Sequence, residues 1–243
     1  MNKTTNSPAA PRPAATRPAT RPRAALFDMD GVLFDSMPNH AYSWSHAMTQ
    51  FGLQMTAREA YMNEGRTGSG TINILARRCW GRDATEEEIQ RIYQAKSQLF
   101  NALPQAKPMP GALQALTAAR ERGLTIVLVT GSAQASLLER LEAHFPGFFS
   151  PERMVTGFDV KHGKPHPEPY LMGLSRAGIT AREAVVVENA PLGVEAGHAA
   201  GIFTLAANTG PLPDQVLSQA GADLVLPHMQ AVAEWFKALP PAR

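Results

Sequence analysis

The chain of 243 residues has one cysteine, Cys79. No disulfide can close within it, which excludes a disulfide-stapled secreted scaffold and suits a reducing, cytoplasmic setting. Cys79 itself is expected to be a small buried apolar residue. Long hydrophobic runs are missing as well. The densest stretches, such as Leu124 to Val129, are far too short to span a bilayer, so no membrane partner is expected. The first 23 residues lack Leu, Ile, Val and Phe altogether. Pro8, Pro11, Pro13, Pro18 and Pro22 stand there among Ala, Thr and Arg. Such a stretch cannot bury enough apolar surface to fold, and it has no apolar run of the kind a secretory signal needs. It also lacks acids. Lys3, Arg12, Arg17, Arg21 and Arg23 go unopposed, while residues 24–243 carry 18 basic and 21 acidic side chains. The basic balance therefore belongs to the tail, and the body offers no basic field for nucleic acid.

What remains is ordinary globular material, 44% apolar and 18% charged. Ala24 to Asp28, Leu124 to Thr130 and Ala184 to Glu188 are short, continuous apolar runs that end on polar residues. Ile202 to Ala206 and Asp223 to Leu226 are shorter ones. Continuous rather than alternating runs mark strands buried on both faces, as in a parallel sheet. Helical patterns lie between them at Gly111 to Arg122, Ala133 to Phe145, Pro167 to Ala177 and Leu192 to Ala200. Gly123, Gly178 and Gly201 follow three of them, where helix ends favour glycine. The alternation predicts a doubly wound parallel α/β sheet. From Pro38 to Pro108 the pattern is helical only, with a capping box at Thr85 and Glu88. Three parts are expected: a disordered tail (1–23), a core (24–37 and 109–243) and an inserted α-helical unit (38–108).

In an open α/β sheet, ligands bind beyond the carboxyl ends of the strands. Asp28-Met-Asp30-Gly31 follows the first run, Thr130-Gly131-Ser132 the second, and Glu188-Asn189 the third in this count; Gly163-Lys164-Pro165 lies between the last two. Singly, each is commonplace: a capping pair of acids, a turn that opens a helix, a surface lysine. Their joint order, each at a strand end or its loop, is far more specific.

That combination resembles the haloacid dehalogenase superfamily, within it the β-phosphoglucomutase-like phosphatases and mutases, from about residue 24 to about residue 235. Phe34-Asp-Ser36, Lys164-Pro-His-Pro-Glu-Pro-Tyr170 and Pro191-Leu-Gly-Val-Glu-Ala-Gly197 belong to the likeness. The helical insert matches the family's cap domain. The resemblance implies a Rossmann-like core, Mg2+ as cofactor and a small phosphorylated substrate. A phosphate monoester is an anion, so carboxylate attack requires charge neutralisation and in-line geometry. By resemblance, Asp28 is the nucleophile and Asp30 the general acid and base. Thr130 and Lys164 complete the catalytic set, Lys164 offsetting negative charge. Asp28, Asp30 through its carbonyl, Glu188 and Asn189 are the metal candidates, because magnesium prefers hard oxygen ligands. Gly131 and Ser132 are expected to bind substrate phosphate through their amides at a helix N-terminus.

Asn189 departs from the family, whose fourth motif ends in two acids; it keeps a carbonyl oxygen and loses a charge. Within the cap, His40 matches a histidine that in β-phosphoglucomutase couples closure to the catalytic acid, and Trp44 follows at a matching spacing. Arg66, in the loop Glu64-Gly-Arg-Thr-Gly-Ser-Gly70, is a further substrate-binding candidate, since a guanidinium suits a phosphate or a hydroxyl. It is displaced by two positions from the mutase arginine, and Glu64 stands where the mutase has lysine. A phosphatase acting on a sugar phosphate is the leading expectation. A phosphosugar mutase and a weakly catalytic phosphometabolite-binding protein are the alternatives, and the assembly expected is a monomer or weak homodimer.

Overall fold

The computed structural model describes residue 18, residues 20–132 and residues 137–241. Six strands occur among them: β1 (Ala24–Phe27), β2 (Thr125–Val129), β3 (Met154–Val155), β4 (Ala184–Glu188), β5 (Phe203–Ala207) and β6 (Leu224–Leu226). They form one sheet in the order β3-β2-β1-β4-β5-β6, and every pairing is parallel. The helices are α1 (Met37–Gln50), α2 (Ala57–Met62), α3 (Gly68–Trp80), α4 (Glu86–Ala102), α5 (Ala112–Glu121), α6 (Leu137–His144), α7 (Glu168–Ala177), α8 (Pro191–Ala199), α9 (Asp214–Gln219) and α10 (Met229–Lys237).

The sheet is covered on both faces, which explains the unbroken apolar runs. In β1, Ala25 and Phe27 join Leu116 of α5 and Phe236 of α10 on one face. Ala24 and Leu26 join Tyr170 and Leu174 of α7 on the other. Successive side chains point to opposite faces, so both sets must be apolar. Burying a side chain such as Leu26 contributes about 1.5–3 kcal/mol.

β3 has no counterpart in the sequence reading, and it makes Glu188 the end of the fourth strand rather than the third. It is a two-residue edge strand, too short to leave an apolar run. It nevertheless fixes Thr130, whose N–H donates to the Val155 carbonyl at 2.9 Å.

Helices α1 to α4 form the inserted unit around a core of their own, with Met48, Leu53, Ile72, Leu75 and Ile92 buried. Capping boxes at Thr56/Glu59 and Thr85/Glu88 start α2 and α4. Cys79, expected to be buried, is exposed. It lies beside exposed Arg77 and Arg78, whereas the inward face of α3 consists of Ile72, Leu75 and Ala76, spaced by three and four residues.

The two passages between core and insert run side by side. Phe34 bridges to Pro108, the Asp35 amide donates to the Lys107 carbonyl at 2.9 Å, and the Met109 amide to the Leu33 carbonyl at 2.8 Å. At the other boundary, the end of the compositional tail is tied to the core. Arg23 donates to the Glu183 carbonyl at 2.6 Å and accepts from the Thr125 amide at 2.8 Å. Residues 1–17 and 19 of the tail lie outside the described residues, as do 133–136, where the sixth helix was expected to begin, and so do the side chains of Leu137 and Leu138. Among the described residues no helix is long and apolar enough to cross a membrane.

Candidate active site

A cavity of about 650 Å³ opens between the carboxyl edge of the sheet and the helical insert. Asp28, Asp30, Thr130, Gly131, Ser132 and Lys164 line it from the core; His40 and Arg66 line it from the insert. The remaining two sequence-predicted residues, Glu188 and Asn189, are buried at the end of β4 and do not appear in its wall.

Asp28 follows directly on β1, anchored by its amide to the Val187 carbonyl at 3.0 Å. The ammonium of Lys164 donates to Asp28 Oδ1 and to Glu188 Oε1, both at 2.5 Å, and to the Val129 carbonyl at 3.3 Å. All three charged groups are nearly sealed from solvent. Burial pushes the Asp28 carboxyl well above the usual range; Lys164 opposes that, while Glu188 and Asp30 reinforce it. Burial likewise works against the Lys164 ammonium, but the Asp28 and Glu188 carboxylates prevail and strengthen its hold on the proton.

Glu188 has four donors on its two oxygens. Oε1 accepts from Lys164 and, at 2.7 Å, from the Tyr170 hydroxyl. Oε2 accepts from the amides of Asn189 at 2.9 Å and Ala190 at 3.2 Å. A carboxylate offers about four lone-pair sites, so this one is fully used. In this arrangement Glu188, a metal candidate by sequence, holds Lys164 and the loop after β4. Asn189 is the opposite case. Its Oδ1 is buried without a hydrogen-bond partner. Its amide packs where a side chain at Gly31 would stand, 2.0 Å from an ideal Cβ, and Gly31 has φ +80°, so glycine is needed there on both counts.

Asp30 is held separately. The Ser36 hydroxyl donates to its Oδ1 at 2.5 Å, and His40 Nε2 lies 3.4 Å from the same oxygen. Lys96 of α4 reaches His40 Nδ1 at 3.1 Å. An ammonium can only donate, so Nδ1 accepts and the ring N–H on Nε2 faces Asp30. Burial raises the Asp30 carboxyl, but the His40 ring, the Ser36 hydroxyl and the Lys96 ammonium outweigh it and bring it to about 2. Sequence reasoning missed Ser36 as a ligand of Asp30, Lys96 and Tyr170. Tyr170 and Ser36 stood inside quoted motifs; Lys96, a basic residue buried in an otherwise amphipathic helix, gave no signal beyond its helical spacing.

Cap and core meet tightly around Lys164. Gly65, with φ +81°, lies against its stem, and a Cβ there would fall 2.9 Å from Lys164 Cδ. The neighbouring Glu64 is pushed well above the usual carboxylate range by burial first, then by Asp30, Asp28 and Glu188. Arg66 donates from Nε to Asn63 Oδ1 at 3.2 Å. Ser132 donates its amide to Thr130 Oγ1 at 3.0 Å. The site thus gathers Asp28, Asp30, Glu188 and Glu64 against Lys164 and Lys96, an excess of carboxyl groups that a bound cation would offset.

A parallel sheet of this order, an inserted helical cap and a buried Asp–Lys–Glu chain beneath their junction define a class. The chain belongs to the haloacid dehalogenase-like hydrolases, whose family model matches residues 22–201. Several of its relatives are named as phosphatases of phosphorylated sugars or hexitols. It is 30% identical to hexitol phosphatase A of Escherichia coli (strain K12), over 87% of this chain and 94% of that protein. It is 32% identical to the phosphorylated carbohydrates phosphatase of Thermotoga maritima, over 82% of this chain and 91% of that one. Among solved structures, a Bacteroides vulgatus protein provisionally described as a beta-phosphoglucomutase superposes with TM-score 0.86 at 57% identity, over 90% of each chain. The protein is therefore an enzyme of the sugar phosphatase and phosphoglucomutase-like branch.

Proposed function

We propose that the chain is a magnesium-dependent phosphatase that hydrolyses the phosphate monoester of a small sugar or polyol through an aspartyl-phosphate. The observation that carries this reading is the division of labour between two carboxylates two residues apart. Asp28 is tied to Lys164 at the cavity floor, and Asp30 is tied to Ser36 and His40. Asp28 attacks phosphorus through a carboxylate oxygen; Asp30, held ionised here by the His40 ring and the Ser36 hydroxyl, takes up a proton as the anionic substrate enters and passes it to the leaving ester oxygen. Water then attacks the aspartyl-phosphate and gives its proton to Asp30, releasing inorganic phosphate and restoring Asp28. Lys164 neutralises charge at Asp28; Thr130 and the Gly131 amide suit the phosphate oxygens, and the Ser132 amide joins them on leaving Thr130 Oγ1. The hard oxygen donors fit magnesium: the Asp28 carboxylate, the Asp30 carbonyl, the unpartnered Asn189 Oδ1 and, at the same strand end, Glu188. That ion, when bound, supplies positive charge to a dianionic phosphoryl group.

The mutase is the second reading, favoured by the Bacteroides vulgatus relative. Glu64 weighs against it. A carboxyl group faces the cavity where a lysine would hold a second phosphate, and Lys164 and Lys96 are already engaged. The test is phosphate release across a panel of sugar and polyol monophosphates with magnesium. Release without a bisphosphate primer, lost in Asp28→Asn, is the expected result. Isomer interconversion that requires such a primer would establish the mutase instead, and full turnover by Asp28→Asn would remove Asp28 as nucleophile.

A further inference from the structure

The loop that delivers Lys164 also carries a cluster with no part in the chemistry above. His162, His166 and Glu168 each offer a ligand atom, and these atoms all lie within 4.8 Å of one another. His162 Nδ1 is 2.8 Å from Glu168 Oε2, and His166 Nδ1 is 3.9 Å from the same oxygen. The two imidazole rings stand side by side with centroids 4.7 Å apart. We propose that these three side chains form a binding site for a zinc-type divalent ion, separate from the catalytic cation site.

Three features make the cluster more than a chance meeting of surface groups. The carboxylate is immobilised: Glu168 Oε1 accepts from the Lys161 amide at 2.8 Å and Oε2 from the His162 amide at 3.1 Å. Glu168 is also the first residue of α7, so one of the three donors rides on a helix packed against the sheet. Both imidazoles are more than half exposed, which leaves an open approach and room for water as a fourth ligand. Binding exchanges the bond that His166 Nδ1 now accepts from the Glu168 amide, 3.2 Å, for a coordinate bond.

Donor chemistry separates the two sites. Two imidazoles and one carboxylate match the nitrogen-rich tetrahedral preference of zinc, whereas magnesium requires an octahedron of oxygens. The catalytic candidates are all oxygens, so the imidazole cluster selects against magnesium while saturating magnesium occupies the oxygen site. Position gives the new site a consequence. Lys164 lies between His162 and His166 in the chain, and an ion bridging residues 162, 166 and 168 staples the segment from which its side chain reaches Asp28. Bound zinc therefore stabilises the folded protein and fixes the Lys164 loop.

The experiment uses the full chain saturated with magnesium. Cobalt(II) is the spectroscopic probe and zinc chloride the calorimetric one. The expected result is one tightly bound ion per chain with tetrahedral cobalt d–d absorption, and a higher melting temperature with zinc. His162→Ala and His166→Ala should each weaken zinc binding by at least roughly 10–100-fold, the range seen when even an outer partner of a metal ligand is lost. Both variants should keep magnesium-dependent turnover, which reports that they are folded. Absence of tetrahedral absorption in the wild type overturns the proposal, as does zinc affinity unchanged in both variants. Neither outcome bears on the phosphatase reading, which the substrate panel decides.

Discussion

Replacing Lys164 with methionine tests whether the buried Asp28–Lys164–Glu188 chain is an electrostatic unit. Methionine matches the aliphatic stem that packs against Gly65 and removes only the ammonium. The ammonium is 2.5 Å from each carboxylate and almost fully buried, so both acids lose a partner at once. Removing one member of a buried ion pair costs about 3–5 kcal/mol, because the remaining charge stays desolvated. For a chain of this length that corresponds to a melting temperature lower by roughly 6–20 °C. The deficit also acquires a sign in pH. Asp28 is already raised by burial, and Lys164 is the group that restrains it, so the variant raises it further. A carboxyl whose folded value lies above its unfolded value contributes stability at low pH and loses it as pH rises through the folded value. The deficit should therefore grow as pH rises above the ordinary carboxylate range. Thermal unfolding in chelator, which keeps divalent ions out of the comparison, provides the measurement. Adding Glu188→Gln to the variant should recover part of the loss by neutralising one stranded carboxylate. A deficit below about 1 kcal/mol, the worth of an exposed pair, or one that does not change with pH, would refute the reasoning.

Two further outcomes are expected. Asn189→Asp restores a charge at a buried site oxygen that has no hydrogen-bond partner, so half-maximal magnesium should fall by at least about tenfold, equivalent to about 1.4 kcal/mol; an unchanged or weakened magnesium titration of activity would count against Asn189 as a ligand. Tyr170→Phe deletes a 2.7 Å bond to a charged acceptor and should cost about 1.5–3 kcal/mol in urea unfolding, with Lys164 still holding the same oxygen; no loss of stability would mean that Tyr170 does not support Glu188.

The sheet was legible because its central strands are buried on both faces, which forces continuous apolar runs such as Val185-Val-Val187. The strand pattern failed at Met154–Val155, where two edge residues leave no period to read. Cys79 was misplaced because composition alone treats a lone cysteine as apolar filler, whereas helical phase puts it with Arg77 and Arg78 on the outer face. The functional residues show the same limit. Asp28, Asp30, Thr130 and Lys164 announce themselves by ending strands or occupying their loops. The duties of Glu188, Tyr170, Lys96 and Ser36 depend on who meets whom across more than one element. Only the three-dimensional arrangement shows that Glu188 accepts four hydrogen bonds within the protein while Asn189 Oδ1 accepts none.

The paired crossings at Phe34 and Pro108 mean that the insert leaves the core and returns through adjacent points. A unit attached in this way can be replaced by another of different length or shape without re-threading the sheet, so the chemistry of phosphoryl transfer and the choice of substrate can diverge independently in descent. Ser36, the residue that grips Asp30, follows directly on that crossing, so the point of attachment and the hold on Asp30 share one short stretch of chain.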